Sequence, residues 1–201
     1  MKRLLFLLIF LPVLSNAQVN LDSLWRVWND EAQADTNRLK AMSDIVWSGY
    51  LFTQPDSAFY FAQLRLNFAK EKGQKKHIAN ALYVQGISCY LQGDYDNSLD
   101  YYTKSLKFQE QIENKTGIAA VLCGFGIIYR RQGDYNKAIN YYTKSLKIQE
   151  EIGDKNGVAA TLNNIGRFFK TKATTIKPWI IIQKALRSKK KLGVKGELPL
   201  H

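Results

Sequence analysis

Histidine occurs only twice in the 201 residues, at His77 and His201, and cysteine only twice, at Cys89 and Cys123. Neither residue type forms a metal-ligand spacing, no nucleophile is paired with a base, and no phosphate-binding loop is present. The stretch GFGIIY at Gly124 lacks a third glycine and lies inside a helical pattern. The expectation is a non-enzymatic protein with no cofactor and no metal. Also missing is an apolar run of the roughly 20 residues that a spanning helix needs. The nearest approach, Leu4 to Leu14, follows Lys2 and Arg3 and precedes the small residues Ser15 and Ala17. That layout predicts a signal peptide over residues 1–17, cleaved after Ala17, with export to a periplasmic or extracellular space and no membrane contact afterwards.

Acidic residues are scarce at one end. The net charge is +12, but from residue 171 onward there are eight Lys or Arg against one Glu, and Lys2 and Arg3 add two more positive charges. The body between them is close to balanced. The basic tail, with Arg187, Lys189, Lys190 and Lys191, has no interleaved aromatics, so nucleic acid is not an expected partner.

What the chain has in abundance is itself. QGDYDNSLDYYTKSLK at Gln92–Lys107 recurs as QGDYNKAINYYTKSLK at Gln132–Lys147, with 11 of 16 positions identical at a spacing of 40. IANALYVQGISCY from Ile78, IAAVLCGFGIIYR from Ile118 and VAATLNNIGRFFK from Val158 align at the same period without gaps. Leu82, Leu122 and Leu162 share one position, and Gly86, Gly126 and Gly166 share another, one helical turn later on the same face. A glycine inside a helix costs about 1 kcal/mol relative to alanine, so its recurrence predicts a packing notch for a neighbouring helix. Gly133 then ends this helix and Asp134 caps the next, on which Ala138, Tyr142 and Ser145 follow at helical spacing, with Ser98, Tyr102 and Ser105 one repeat earlier. Each unit is a helical hairpin that buries its apolar face by stacking on the next. The cysteines, 34 residues apart against a period of 40, fall six residues out of register. Six residues of helix span roughly 9 Å, which favours two buried thiols over a disulfide.

These residues resemble the tetratricopeptide repeat family. Its helix A pattern falls on Leu122, Phe125, Gly126 and Tyr129, and its helix B pattern on Ala138, Tyr142 and Ser145. The period of 40 exceeds the family's 34, and Glu110 and Glu150 stand where the family usually closes with Pro, as in the extended variety found in bacterial sensory proteins. The resemblance implies an all-α superhelical solenoid of antiparallel hairpins, with units at 78–117 and 118–157 and the first helix of another at 158–170. An earlier, degenerate unit over 38–77 places Ala58, Leu66 and Gly73 opposite Ala138, Leu146 and Gly153, with its first helix from about Arg38 to Phe52. Residues 18–37 supply a capping helix through Leu21, Leu24, Trp25 and Trp28.

The repeat breaks off in the tail, where Ala173 and Ile180 to Ile182 stand in place of the Gly and of NYY. Codon boundaries are informative here. Trp179 has the single codon TGG, so its boundary with Ile180 reads GAT, Asp, and the next two boundaries read only Tyr, His or Asn. From Lys172 to Ile182 permitted codons yield GDYNKALDYY, against GDYNKAINYY at Gly133–Tyr142, and Arg187 to Gly193 permits IQEEIG, the text of Ile148–Gly153. The expectation is one base lost near Lys170, with residues 171–201 read out of frame. The last unit then lacks its second helix, exposing an apolar edge drawn from Leu162, Ile165, Phe168 and Phe169 that invites self-association.

Family positions place a partner-binding groove along the first helix of each unit: Asn80, Tyr83, Ile87, Tyr90 and Leu91, then Cys123, Ile127, Arg130 and Arg131, then Asn163, Arg167 and Lys170. Arg130, Arg131, Arg167 and Lys170 suit a peptide carboxylate or acidic segment. The expected function is an exported scaffold binding a protein or peptide. The other reading is the severed extracytoplasmic sensor region of a longer signalling protein with a histidine-kinase or DNA-binding output.

Overall fold

The computed structural model describes residues 20–166, which form a succession of antiparallel helices without a strand among the described residues. α1 spans Leu21–Asn29, α2 Asp35–Ile45 with a π-helical turn at Val46–Tyr50, α3 Pro55–Glu71 and α4 Lys75–Leu91. α5 spans Tyr95–Gln111, α6 Lys115–Arg131, α7 Tyr135–Glu151 and α8 Lys155–Gly166. The even-numbered helices are the first members of their hairpins, and the odd-numbered helices from α3 onward are the second. The all-α repeat solenoid expected from the sequence is the fold observed.

From α3 onward a new helix starts every 20 residues, and each joint is set by one left-handed residue. Gly73, Gly93, Gly133 and Gly153 have φ between 63° and 83°, and Glu113 stands at the same place with φ 51°. An L side chain is strained there and glycine is not. The next helix is then capped from its own sequence. Asp94, Asn114 and Asp134 accept from the backbone N–H groups of Asn97, Gly117 and Lys137, satisfying donors that the helix cannot.

The recurrent glycines have a more specific cause than helix approach alone. A Cβ on Gly126 would lie 2.6 Å from the Tyr142 ring, and one on Gly86 would lie 2.5 Å from the Tyr102 ring. The notch receives an aromatic ring from the second helix of the same hairpin. Tyr102 also presses on Gly124 of the following unit, at 2.7 Å from the position of a Cβ, so one ring links two hairpins. The small residues opposite are more than small. Ser98 Oγ donates to the Gly86 carbonyl at 2.6 Å, and Ser105 and Ser145 donate to the carbonyls of Ala79 and Ala119 at 2.8 and 2.7 Å. Burial of Tyr102 and Tyr142 drives their hydroxyl pKa values upward.

The first hairpin replaces this device with another. At the register position of Ser105 and Ser145 stands Arg65, which is 3% exposed. At the position of Gln109 and Gln149 stands Ala69, and at that of Gly117 and Gly157 stands His77. The long guanidinium occupies the space of the missing glutamine, and its Nη2 lies 3.0 Å from His77 Nδ1. Desolvation lowers the Arg65 pKa to about 10, opposed by Asp44. It also lowers the His77 pKa to about 4, with help from the Arg65 and Lys76 charges, so His77 is neutral and accepts the bond.

α1 caps this end. Its Leu21, Leu24, Trp25 and Trp28 are half-buried against a cluster with Met42, Ile45 and Ala58 at its centre. Trp25 and Trp28 meet Phe61 and Phe68 edge-on, at 5.1 and 5.4 Å between centroids. At the other end Leu162 and Ile165 are buried with Tyr142, Leu146 and Val158. Leu162 and Ile165 are therefore not an exposed edge. Phe168 and Phe169, the expected signal segment and the basic tail lie outside the described residues.

Candidate functional site

α4 lies beside α6 and α6 beside α8, and residues of α2, α4 and α6 line a partly open cavity of about 460 Å³. Ser43 and Trp47 line it from α2, Lys76, Asn80 and Tyr83 from α4, Thr116, Gly117 and Ala120 from α6, with Gln109 and Asn114 behind. The walls are aromatic on one side and amide on the other. Lys76 is the only charged lining residue among the described residues, so the cavity favours hydrogen-bond acceptors and negative charge.

Of the residues expected in the groove, Asn80 and Tyr83 are brought together here. Tyr83 stacks on the buried Tyr102 at 5.5 Å, which fixes its ring. Ile87 and Ile127 are half-buried and pack onto the cores of adjacent hairpins. Tyr90 accepts from Arg131 Nε at 3.1 Å, joining α4 to α6. Cys123 is half-buried and Cys89 buried, both free thiols, as the register argued. Cys123 Sγ accepts from Asn164 Nδ2 at 3.5 Å and Thr161 Oγ1 at 3.7 Å, while burial pushes its pKa up. Burial pushes that of Cys89 up to about 11. Asn163 and Leu91 are exposed.

Of the expected cationic stripe, Arg130 is half-buried beside the Tyr142 hydroxyl, and Arg131 is exposed and donates to Tyr90. Arg167 and Lys170 lie outside the described residues. The arginine side chains are long enough to satisfy buried or half-buried hydroxyls nearby, which a reading of spacing alone does not reveal.

Ser43, Trp47, Lys76 and Thr116 were not anticipated. Ser43 and Trp47 stand 40 residues before Tyr83 and Ile87, so extending the register into the degenerate unit would have found them. Trp47, 41% exposed, pairs with Phe52, 69% exposed, with centroids 6.5 Å apart, and carries the aromatic wall to the rim.

A family model for the tetratricopeptide repeat matches residues 77–151 and again 117–171. No curated protein matches the chain. Among solved structures, the crystal structure of BtubC (BKLC) from P. vanneervenii is similar at a TM-score of 0.66 and 16% identity. That alignment covers 88% of this chain and 72% of the other, and at this identity it shows a common fold.

Proposed function

We propose that this chain, whose residues 77–171 match the tetratricopeptide repeat model, is a protein-interaction scaffold that binds an extended peptide segment in the cavity between α2, α4 and α6. The observation that carries the reading is the lining. Lys76, Thr116 and Asn80 offer donors, no carboxylate lines the cavity among the described residues, and Trp47 and Tyr83 provide flat apolar walls. An extended backbone with a bulky apolar side chain and a carbonyl or carboxylate nearby is complementary to that arrangement. The scaffold works as an exported protein after removal of residues 1–17, and it performs no catalysis.

The test is selection of a displayed library of random dodecapeptides on the folded chain, followed by anisotropy measurements with enriched peptides. Trp47→Ser, at a half-exposed position, is expected to weaken these peptides about tenfold or more, as loss of an aromatic anchor does. Enriched peptides indifferent to Trp47→Ser and Tyr83→Ala together would place binding elsewhere.

The second reading, a sensor region continuing into a longer signalling protein, is favoured by the repeat text that the codon boundaries after Lys172 permit. Resequencing the gene around codon 170 and translating the alternative frame tests it. Further repeats followed by a membrane span and an output domain select this reading, and an immediate stop removes it.

A further inference from the structure

Asn80 is half-buried at the cavity wall, and which way its amide faces decides what the cavity can recognise. Oxygen outward selects donors, whereas nitrogen outward selects acceptors. The orientation is fixed by a chain of amides that begins at a group of unambiguous polarity. The backbone N–H of Gly117 donates to Asn114 Oδ1 at 3.3 Å, so Asn114 must present Nδ2 on its other side. Asn114 Nδ2 donates to Gln109 Oε1 at 2.7 Å, which turns Gln109 Nε2 toward α4. Gln109 Nε2 donates to Asn80 Oδ1 at 3.1 Å. Asn80 Nδ2 is thereby left to the cavity.

The chain is held rigidly. Gln109 is 2% exposed, and its side chain lies directly over Gly117, where a Cβ would come within 2.3 Å of it. The next unit has the same glutamine over glycine but not the same relay. Gln149 accepts from Thr161 Oγ1 at 3.0 Å, the cap is Asp154, which has no N–H to donate, and Ala120 replaces Asn80. Only at Gln109 does the polarity reach a cavity wall.

We infer that Gln109 is a positioning residue which, locked by Asn114 and Gly117, turns the Asn80 amide so that its N–H donors meet a carbonyl of a peptide bound between α2, α4 and α6. This rests on the groove reading given above, and it adds a determinant that makes no contact with the ligand. The paired substitution in the following unit separates orientation from simple packing.

The experiment uses an enriched dodecapeptide and the whole chain. Gln109→Glu keeps the acceptor for Asn114 but at neutral pH has no hydrogen for Asn80, which turns its own NH2 inward and its oxygen outward. Binding is expected to fall about tenfold, the worth of one oriented hydrogen bond converted to an unfavourable contact. Affinity then recovers as the introduced carboxyl takes up its proton at lower pH, relative to wild type measured in parallel. Asn80→Asp, which keeps an acceptor for Gln109 and replaces the outward NH2 by oxygen, loses a similar factor at neutral pH. Gln149→Glu, equally buried but facing no groove residue, leaves binding unchanged. Wild-type affinity in both Gln109→Glu and Asn80→Asp overturns the inference, and so does a loss shared by Gln149→Glu without recovery at lower pH. Failure of any peptide to enrich on wild type overturns the groove reading itself, and the relay with it.

Discussion

Replacing Gly126 by alanine separates two opposite expectations. Helix propensity alone makes the change favourable by about 1 kcal/mol, because α6 is a helix interior and glycine is the poorer former. The packing reverses the sign. The added Cβ would stand 2.6 Å from Cε1, 2.7 Å from Cδ1 and 3.0 Å from Cγ of Tyr142. To reach an ordinary carbon contact the ring must withdraw by roughly 1 Å. Tyr142 is 0% exposed and sits among Ala138, Leu146, Leu162 and Ile165, so it has nowhere to go without displacing α7 or α8. Overpacking of this kind costs about 1 to 3 kcal/mol. The net expectation is that Gly126→Ala destabilises by up to about 2 kcal/mol, read by urea denaturation followed by far-UV circular dichroism. In a double-mutant cycle with Tyr142→Leu, which removes the ring, the alanine should become favourable by about 1 kcal/mol, giving a coupling of about 1 to 3 kcal/mol. A Gly126→Ala chain more stable than wild type by about 1 kcal/mol would refute the notch.

Other consequences follow from named contacts. Glu113 holds φ 51° where the other joints use glycine, so Glu113→Gly should stabilise by about 1 kcal/mol in the same denaturation assay. Ser145→Ala removes the 2.7 Å bond to the Ala119 carbonyl and should cost about 1 kcal/mol, whereas Lys144→Ala beside it, on an exposed face, should cost little. His77 is neutral in the fold, with its pKa lowered from 6.5 to about 4, while the unfolded chain takes its proton near 6.5. Stability from this site is thus full above about pH 6.5 and declines as pH falls toward about 4, and His77→Gln should flatten that part of a pH series of thermal melts.

Much of the architecture was legible because it is written twice. The identity between Gln92–Lys107 and Gln132–Lys147 fixed the period, and Gly133 with Asp134 marked a joint that occurs as read, with left-handed glycine and capping carboxylate. Less legible was what each repeated residue touches. Serine at positions 98, 105 and 145 reads as small, yet each hydroxyl bonds a backbone carbonyl of the facing helix. The groove was half legible. Asn80 and Tyr83, marked by register, line the cavity, but Trp47 beside them was hidden because the degenerate unit keeps few repeated letters, and the half-burial of Arg130 near the Tyr142 hydroxyl has no signal in the spacing. Covarying replacements such as Arg65, Ala69 and His77 carry no signal in a single sequence until the contact at 3.0 Å joins them.

The proposed function stands on peptides binding between α2, α4 and α6. A photo-crosslinking benzoylphenylalanine placed at Trp47, 41% exposed on the cavity wall, tests it directly against the same group at Lys104, which is exposed on α5 away from the cavity. Irradiation with an enriched dodecapeptide should give an adduct from position 47 and none from position 104. An adduct from position 104 alone would contradict the claim.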